Sequence, residues 1–215
     1  MDIDFLLEIA KTKKNENSSI DLLSLAEKST DERLYSKILY TFLRWDCDYN
    51  NGNLYCSNFL RMLSSSLNSC YLDNDKIIEV YREYESGKGP IDLLLRTQNK
   101  KTIIIENKIF ASDQPKQLER YYDSLKRVTN DLIIVFYLTP SGTEPSEFSL
   151  PIARQKEMKE LGIFSCISYK YEILSWLDKC LRMGDEFNES ALIQFSFTIK
   201  EMLKMNDSIF LVLFV

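Results

Sequence analysis

The chain predicts an α/β architecture: a mixed β-sheet covered on both faces by helices. Three patterns predict it. The first third carries apolar residues at helical spacing, the middle changes to β-branched runs, and the remainder alternates apolar strands with helical segments. No internal repeat and no Pro/Gly/Ser-rich linker interrupts the 215 residues, so they read as a single domain. Its core is expected over about 31–182, with a helical C-terminal extension over 183–215.

Taken in order, Thr30 is the expected cap of a first helix, with Asp31 and Glu32 in the turn where a helix dipole favours anions. Leu34, Ile38 and Phe42 recur at a four-residue step and give that helix an apolar face as far as Trp45. The polar stretch Asp48 to Asn53 breaks it, and a second helix follows over 57–68. A strand is expected over 77–84, with Ile78, Val80, Arg82 and Tyr84 on one face. Turn residues Ser86 to Pro90 lead into two apolar runs, 91–95 and 102–110, separated by polar Gln98 to Lys101. These read as a hairpin. Ser112-Asp113-Gln114-Pro115 carries a helix start signal for a helix to about Val128, packed through Leu118, Tyr122 and Leu125. A strand over 131–138, a helix over 153–161, a short strand over 166–168, and helices over 171–181 and 189–205 complete the order.

Composition narrows the chemistry. The chain has no histidine, which removes imidazole general bases, Ser-His-Asp and Cys-His nucleophiles, and imidazole metal ligands. The net charge of -5 lacks the basic footprint of a dedicated nucleic-acid binder. Cys47, Cys56, Cys70, Cys166 and Cys180 form no C-x-x-C pair, so reduced thiols of a cytoplasmic protein are expected. No signal sequence or membrane span is read, and the apolar tail 209–215, a terminal strand or a helix end docked on the core, is assigned no function.

The hairpin carries the candidate site. Strand alternation puts Glu106 and Lys108 on one face, with Ile103, Ile105 and Asn107 on the other. A turn centred on Asn99 sets Asp92 opposite Glu106, on the same face. Two facing carboxylates repel each other and are costly to desolvate; a hard divalent cation, Mg²⁺ or Mn²⁺, relieves both costs. The backbone carbonyl of Asn107 is a further candidate ligand, and Lys108 is placed to orient water or offset charge on a phosphate. Gln117 and Tyr121 share a helical face beyond the hairpin, with Gln114 on nearly the same stripe. From Lys88 to Lys126, eight basic residues stand against five acidic ones, opposite in sign to the chain as a whole.

Gly89-Pro90-Ile91-Asp92 followed by Ile103-Ile104-Ile105-Glu106-Asn107-Lys108 resembles the D…(D/E)-x-K signature of the PD-(D/E)XK nucleases, and Gln117 to Tyr121 resembles the Q-x-x-x-Y motif of their RecB-like branch. The E-N-K-I…D-Q…Q-L…Y-Y block from Glu106 to Tyr122 is similar to a bacterial subgroup. So are Tyr137 to Gly142, Ile167 to Leu177 and the segment Glu32 to Leu39. Ile91 separates the motif proline from Asp92, and Tyr35 stands where that subgroup carries histidine. The resemblance implies a restriction-endonuclease-like core, metal ligation by Asp92 and Glu106, and a catalytic Lys108 assisted by Gln117 and Tyr121. Glu32 is the match for a further acidic ligand, and Glu83 is its rival. The expected function is metal-dependent hydrolysis of DNA phosphodiester bonds. The alternatives are a catalytically inactive module that binds nucleic acid or a protein partner, and an assembly subunit docking through its tail. Homo-oligomer formation is left open.

Overall fold

The computed structural model describes residues 31–186 and 188–213, with side chains as far as Met205. The expected cap at Thr30 and the side chains of the apolar tail lie outside the described residues. Helix α1 spans Glu32–Tyr49. Asp31 caps it: its backbone is extended and its carboxylate accepts from the Arg33 N–H at 3.1 Å. Tyr35, Leu39, Phe42 and Leu43 form the buried face.

α1 runs a full turn beyond Trp45, and Asp46 organises the junction with the next helix. The Asp46 carbonyl accepts from Asn50 and Gly52, and its buried carboxylate accepts from the Leu54 and Cys56 amides. That side chain thereby caps α2, Tyr55–Ser66, whose own N-cap Leu54 offers no side-chain acceptor.

Among the described residues the sheet has five strands in the order β1-β2-β3-β4-β5: Ile77–Glu85, Pro90–Thr97, Lys101–Asn107, Leu132–Thr139 and Phe164–Ser168. The first three form an antiparallel meander; β4 and β5 continue the sheet in parallel. Helix α3, Gln117–Val128, connects β3 to β4, and α4, Ile152–Glu160, connects β4 to β5. A π-helical turn at Tyr169–Ile173 leads into α5, Leu174–Arg182, and α6 spans Glu189–Leu213.

The sheet therefore separates two apolar layers, the expected mixed α/β arrangement. On one face Leu93, Leu95, Ile103, Ile105, Phe136 and Leu138 pack with α1, α2, α5 and α6. On the other Leu94, Ile104, Ile133 and Val135 pack with α3 and α4. Both faces of β3 are covered, which is why it reads as an unbroken isoleucine run. Leu192, Phe195, Ile199 and Met202 of α6 belong to the first layer, so the C-terminal helix contributes to the main core.

Three local expectations are corrected. Ile77 and Val80 are buried, whereas Ile78 is exposed, because the register shifts between Ile77 and Glu79; this bulge breaks simple alternation. β3 ends at Asn107, and Phe110 is an exposed loop residue. α3 begins at Gln117 without a side-chain cap, because Asp113 is engaged elsewhere: it accepts from the Tyr137 hydroxyl and the Ser146 amide. The helix consequently buries Tyr121, while Tyr122 is only partly buried beneath the Arg154 guanidinium.

Candidate active site

The β2–β3 register decides which carboxylates meet. Leu93 pairs with Ile105, Leu94 with Ile104 and Leu95 with Ile103, symmetrically about Asn99 as the sequence predicts. Lys100 turns the chain with φ 56°. Beyond Leu93–Ile105 a side chain takes over from the regular ladder: the Asp92 carboxylate accepts from the Asn107 N–H at 2.9 Å. Glu106, buried, stands one residue before that amide on the face shared with Ile104.

The two oxygens of Glu106 are served unequally. Oε1 receives the Lys108 ammonium at 2.8 Å and the Gln117 amide at 2.7 Å. Oε2 is buried with no hydrogen-bond partner. A buried carboxylate oxygen without a donor is costly unless it holds a proton or faces a cation.

α3 supplies the brace. Gln117 and Tyr121 lie one turn apart on the same face, and the Gln117 amide also donates to the Tyr121 hydroxyl at 3.2 Å. Tyr121 in turn donates to the Pro90 carbonyl at 2.7 Å, tying the helix to the start of the strand that carries Asp92. Gly89 precedes that strand with φ +116°, a conformation other residues rarely adopt, and a Cβ there would meet the Tyr121 ring at 3.6 Å.

Glu32 sits at the other side of the constellation. Its Oε2 accepts from the amides of Ile109 at 2.8 Å, Ala111 at 3.3 Å and Phe110 at 3.4 Å, while Oε1 lies 3.7 Å from the Lys108 ammonium. One helix-terminal carboxylate thus shapes the loop after β3 and holds the lysine between two anions. Glu83 lies exposed on β1, paired with Arg82 at 3.3 Å, and has a left-handed backbone at φ 49°.

Burial dominates the electrostatics. It pushes the Glu106 carboxyl up to about 8, with Asp92 adding to the rise and Lys108 offsetting part of it. Burial likewise pushes Asp92 up to about 6, against the Asn107 hydrogen bond and Lys108. For Lys108 burial pulls downward, but Glu106, Glu32 and Asp92 together hold the ammonium above its ordinary value.

Asn107 plays a part that the strand alternation did not reveal. Its side chain points into the opposite layer, where Nδ2 donates to the Glu32 carbonyl at 3.1 Å and to Ser36 Oγ at 3.0 Å. Oδ1 accepts from the buried Tyr169 hydroxyl at 3.0 Å. Ser36 and Tyr169 are site-supporting residues the sequence reading missed. The available signal was a polar residue on the same side as Ile103 and Ile105, which requires buried partners. Tyr35, at the position where the resembling subgroup has histidine, is buried edge-on against the Tyr169 ring.

Residues 20–200 match the family model of the PD-(D/E)XK nuclease superfamily. The chain belongs to that superfamily. Neither a curated protein nor a solved structure matches it. As a PD-(D/E)XK protein it belongs with nucleases, hydrolytic enzymes that act on nucleic acid and typically use divalent metals. Among the described residues, no helix is long and apolar enough to cross a membrane.

The donor set of this PD-(D/E)XK chain fits a hard cation. Asp92 and Glu106 offer oxygen only, the bare Glu106 Oε2 is a ready ligand, and the Asn107 carbonyl comes directly after it along β3. Among the described residues, no group of three or more Cys, Asp or Glu side chains is gathered for metal binding. Glu32 is occupied with three loop amides and Lys108, an arrangement suited to positioning.

Proposed function

We propose that the chain is a divalent-metal-dependent nuclease that hydrolyses DNA phosphodiester bonds at the β2–β3 end. The observation that carries this reading is the uneven environment of Glu106: Lys108 and Gln117 on one oxygen, no donor on the other, and Asp92 on the facing strand. Mg²⁺ or Mn²⁺ would be held by Asp92, Glu106 and the Asn107 carbonyl. When bound, the ion supplies Lewis acidity toward the phosphate and its attacking water.

The chain's own groups do the rest. The Lys108 ammonium, steadied by Glu106 and Glu32, orients the attacking water and offsets charge that grows on the phosphate. Gln117 fixes the rotamer of Glu106, so its free oxygen keeps one direction. Tyr121 anchors Gln117 to β2 and keeps the two carboxylates in register.

The test is cleavage of labelled DNA and RNA by the full chain with Mg²⁺, Mn²⁺ or EDTA, beside Glu106→Ala and Lys108→Ala. Metal-dependent DNA cleavage is expected, absent in both variants while their circular dichroism is unchanged. Cleavage that survives either substitution overturns the assignment. Salt-dependent DNA binding without turnover under any divalent ion replaces it with a binding module.

A further inference from the structure

We infer that Cys47 and Cys56 form a built dithiol that closes to a disulfide within the native fold when a peroxide oxidises it. Their sulfurs lie 3.3 Å apart, against about 2.0 Å in a disulfide, and the remaining distance is within reach of small side-chain rotations. Cys47 lies in the last turn of α1 and Cys56 in the first turn of α2.

The backbone between them is already fixed. Asp46, next to Cys47, accepts from the Cys56 amide at 2.8 Å and from the Leu54 amide, while Gly52 turns the chain with φ +68°. Each sulfur also faces a carbonyl: Cys56 donates to Leu43 at 3.2 Å and Cys47 to Ile77 at 3.7 Å.

The two thiols differ in access. Cys56 is buried, whereas Cys47 is partly exposed, so an oxidant meets Cys47 first. The contact with Cys56 draws the Cys47 thiol below its ordinary value, and the same contact together with burial pushes Cys56 up. Cys47 is therefore the attacking thiolate and Cys56 the resolving thiol.

The Cys47 sulfur attacks one oxygen of hydrogen peroxide, the O–O bond breaks, and Cys47 becomes a sulfenic acid as hydroxide leaves and is protonated to water. The Cys56 sulfur then attacks the Cys47 sulfur. The S–O bond breaks and a second water leaves with the Cys56 proton. Two thiols and one peroxide give one disulfide and two waters.

The experiment treats the folded full chain, carrying Cys70→Ser to prevent cross-linking through that exposed thiol, with hydrogen peroxide. Trypsin leaves both cysteines in the single peptide from Trp45 to Arg61. That peptide is expected to lose about 2 Da and resist alkylation until reduced, as disulfide closure requires. In Cys56→Ser, Cys47 is expected to gain one or more oxygens instead. The oxidised parent should melt at a higher temperature than the reduced form and return to it with dithiothreitol. If the peptide keeps its thiols while the peroxide oxidises Cys166, or if closure lowers the melting temperature, the proposal fails.

Discussion

The Gln117 side-chain amide donates to Glu106 Oε1 over 2.7 Å, beside the Lys108 ammonium on the same oxygen, and leaves Oε2 bare. Removing it should release the rotamer without removing any proposed ligand. Gln117→Ala is expected to lower metal affinity or turnover by roughly 10–100-fold, the usual range for a residue that orients a ligand. Titrating Mn²⁺ against initial rate checks this. A variant with wild-type metal dependence would show that Lys108 and packing orient Glu106 without Gln117.

Glu106→Gln separates stability from activity. The carboxyl is buried and its charge is disfavoured there, so a neutral amide of similar shape relieves a desolvation cost. The metal-free variant is expected to melt at or above the parent temperature near pH 8 while cleavage disappears. Differential scanning calorimetry beside an activity assay reads both; a large loss of stability would mean the charged form of Glu106 helps hold the fold.

The pH dependence has its origin in the same group. Its folded value of about 8 exceeds the ordinary 4.5, so the folded protein keeps a proton that the unfolded chain releases. Stability of the metal-free protein should therefore fall as pH rises from about 4.5 toward 8 and level off above that. Asp92, raised to about 6 from 3.8, adds the same sign over a lower window. Divalent ion binding needs the ionised carboxylates, so affinity should rise with pH through 6 to 8, with protons released on binding. Calorimetric titrations in buffers of different ionisation heat measure that release; no release near pH 7 would contradict it.

Tyr121→Phe tests the tie between α3 and β2. The substitution keeps the ring but removes the donor to Pro90 and the acceptor for Gln117. A cost on the order of 1 kcal/mol is expected in urea denaturation, with a modest fall in turnover. A neutral effect on both would show that the hydroxyl bonds exchange freely with water.

Asn107→Ala should be the most damaging change in the site to the fold itself. It strands the buried Tyr169 hydroxyl and Ser36, for a loss on the order of 3 kcal/mol. Chemical denaturation quantifies it, and a loss below about 1 kcal/mol would imply that those groups find other partners.

The placement of the proposed site residues was legible because it obeys a local rule. Pairing about Asn99 and a period of two suffice to put Asp92 and Glu106 on one face, and the flanking isoleucines reveal a buried strand. The support around them was not legible, because it joins segments distant in the chain. Glu32 looks like an ordinary first-turn acid until the loop amides of Ile109 to Ala111 arrive beside it. Asp113 looks like a helix cap, but Tyr137 and Ser146 offer it two better-placed donors. The bulge at Ile78 leaves no mark in the pattern of residue types, since both neighbouring isoleucines suit a strand.

The clamp around the Asn107 side chain also orders events in time. Two of its anchors, the Glu32 carbonyl and Ser36, come from α1, and the third, Tyr169, comes from the turn after β5. A nascent polypeptide halted before Tyr169 emerges has the hairpin but lacks the third anchor that seals it against α1. Such a contact between sequence-distant pieces forms late and slowly, so the segment through Tyr169 must be made before the Asn107 side chain is fully held.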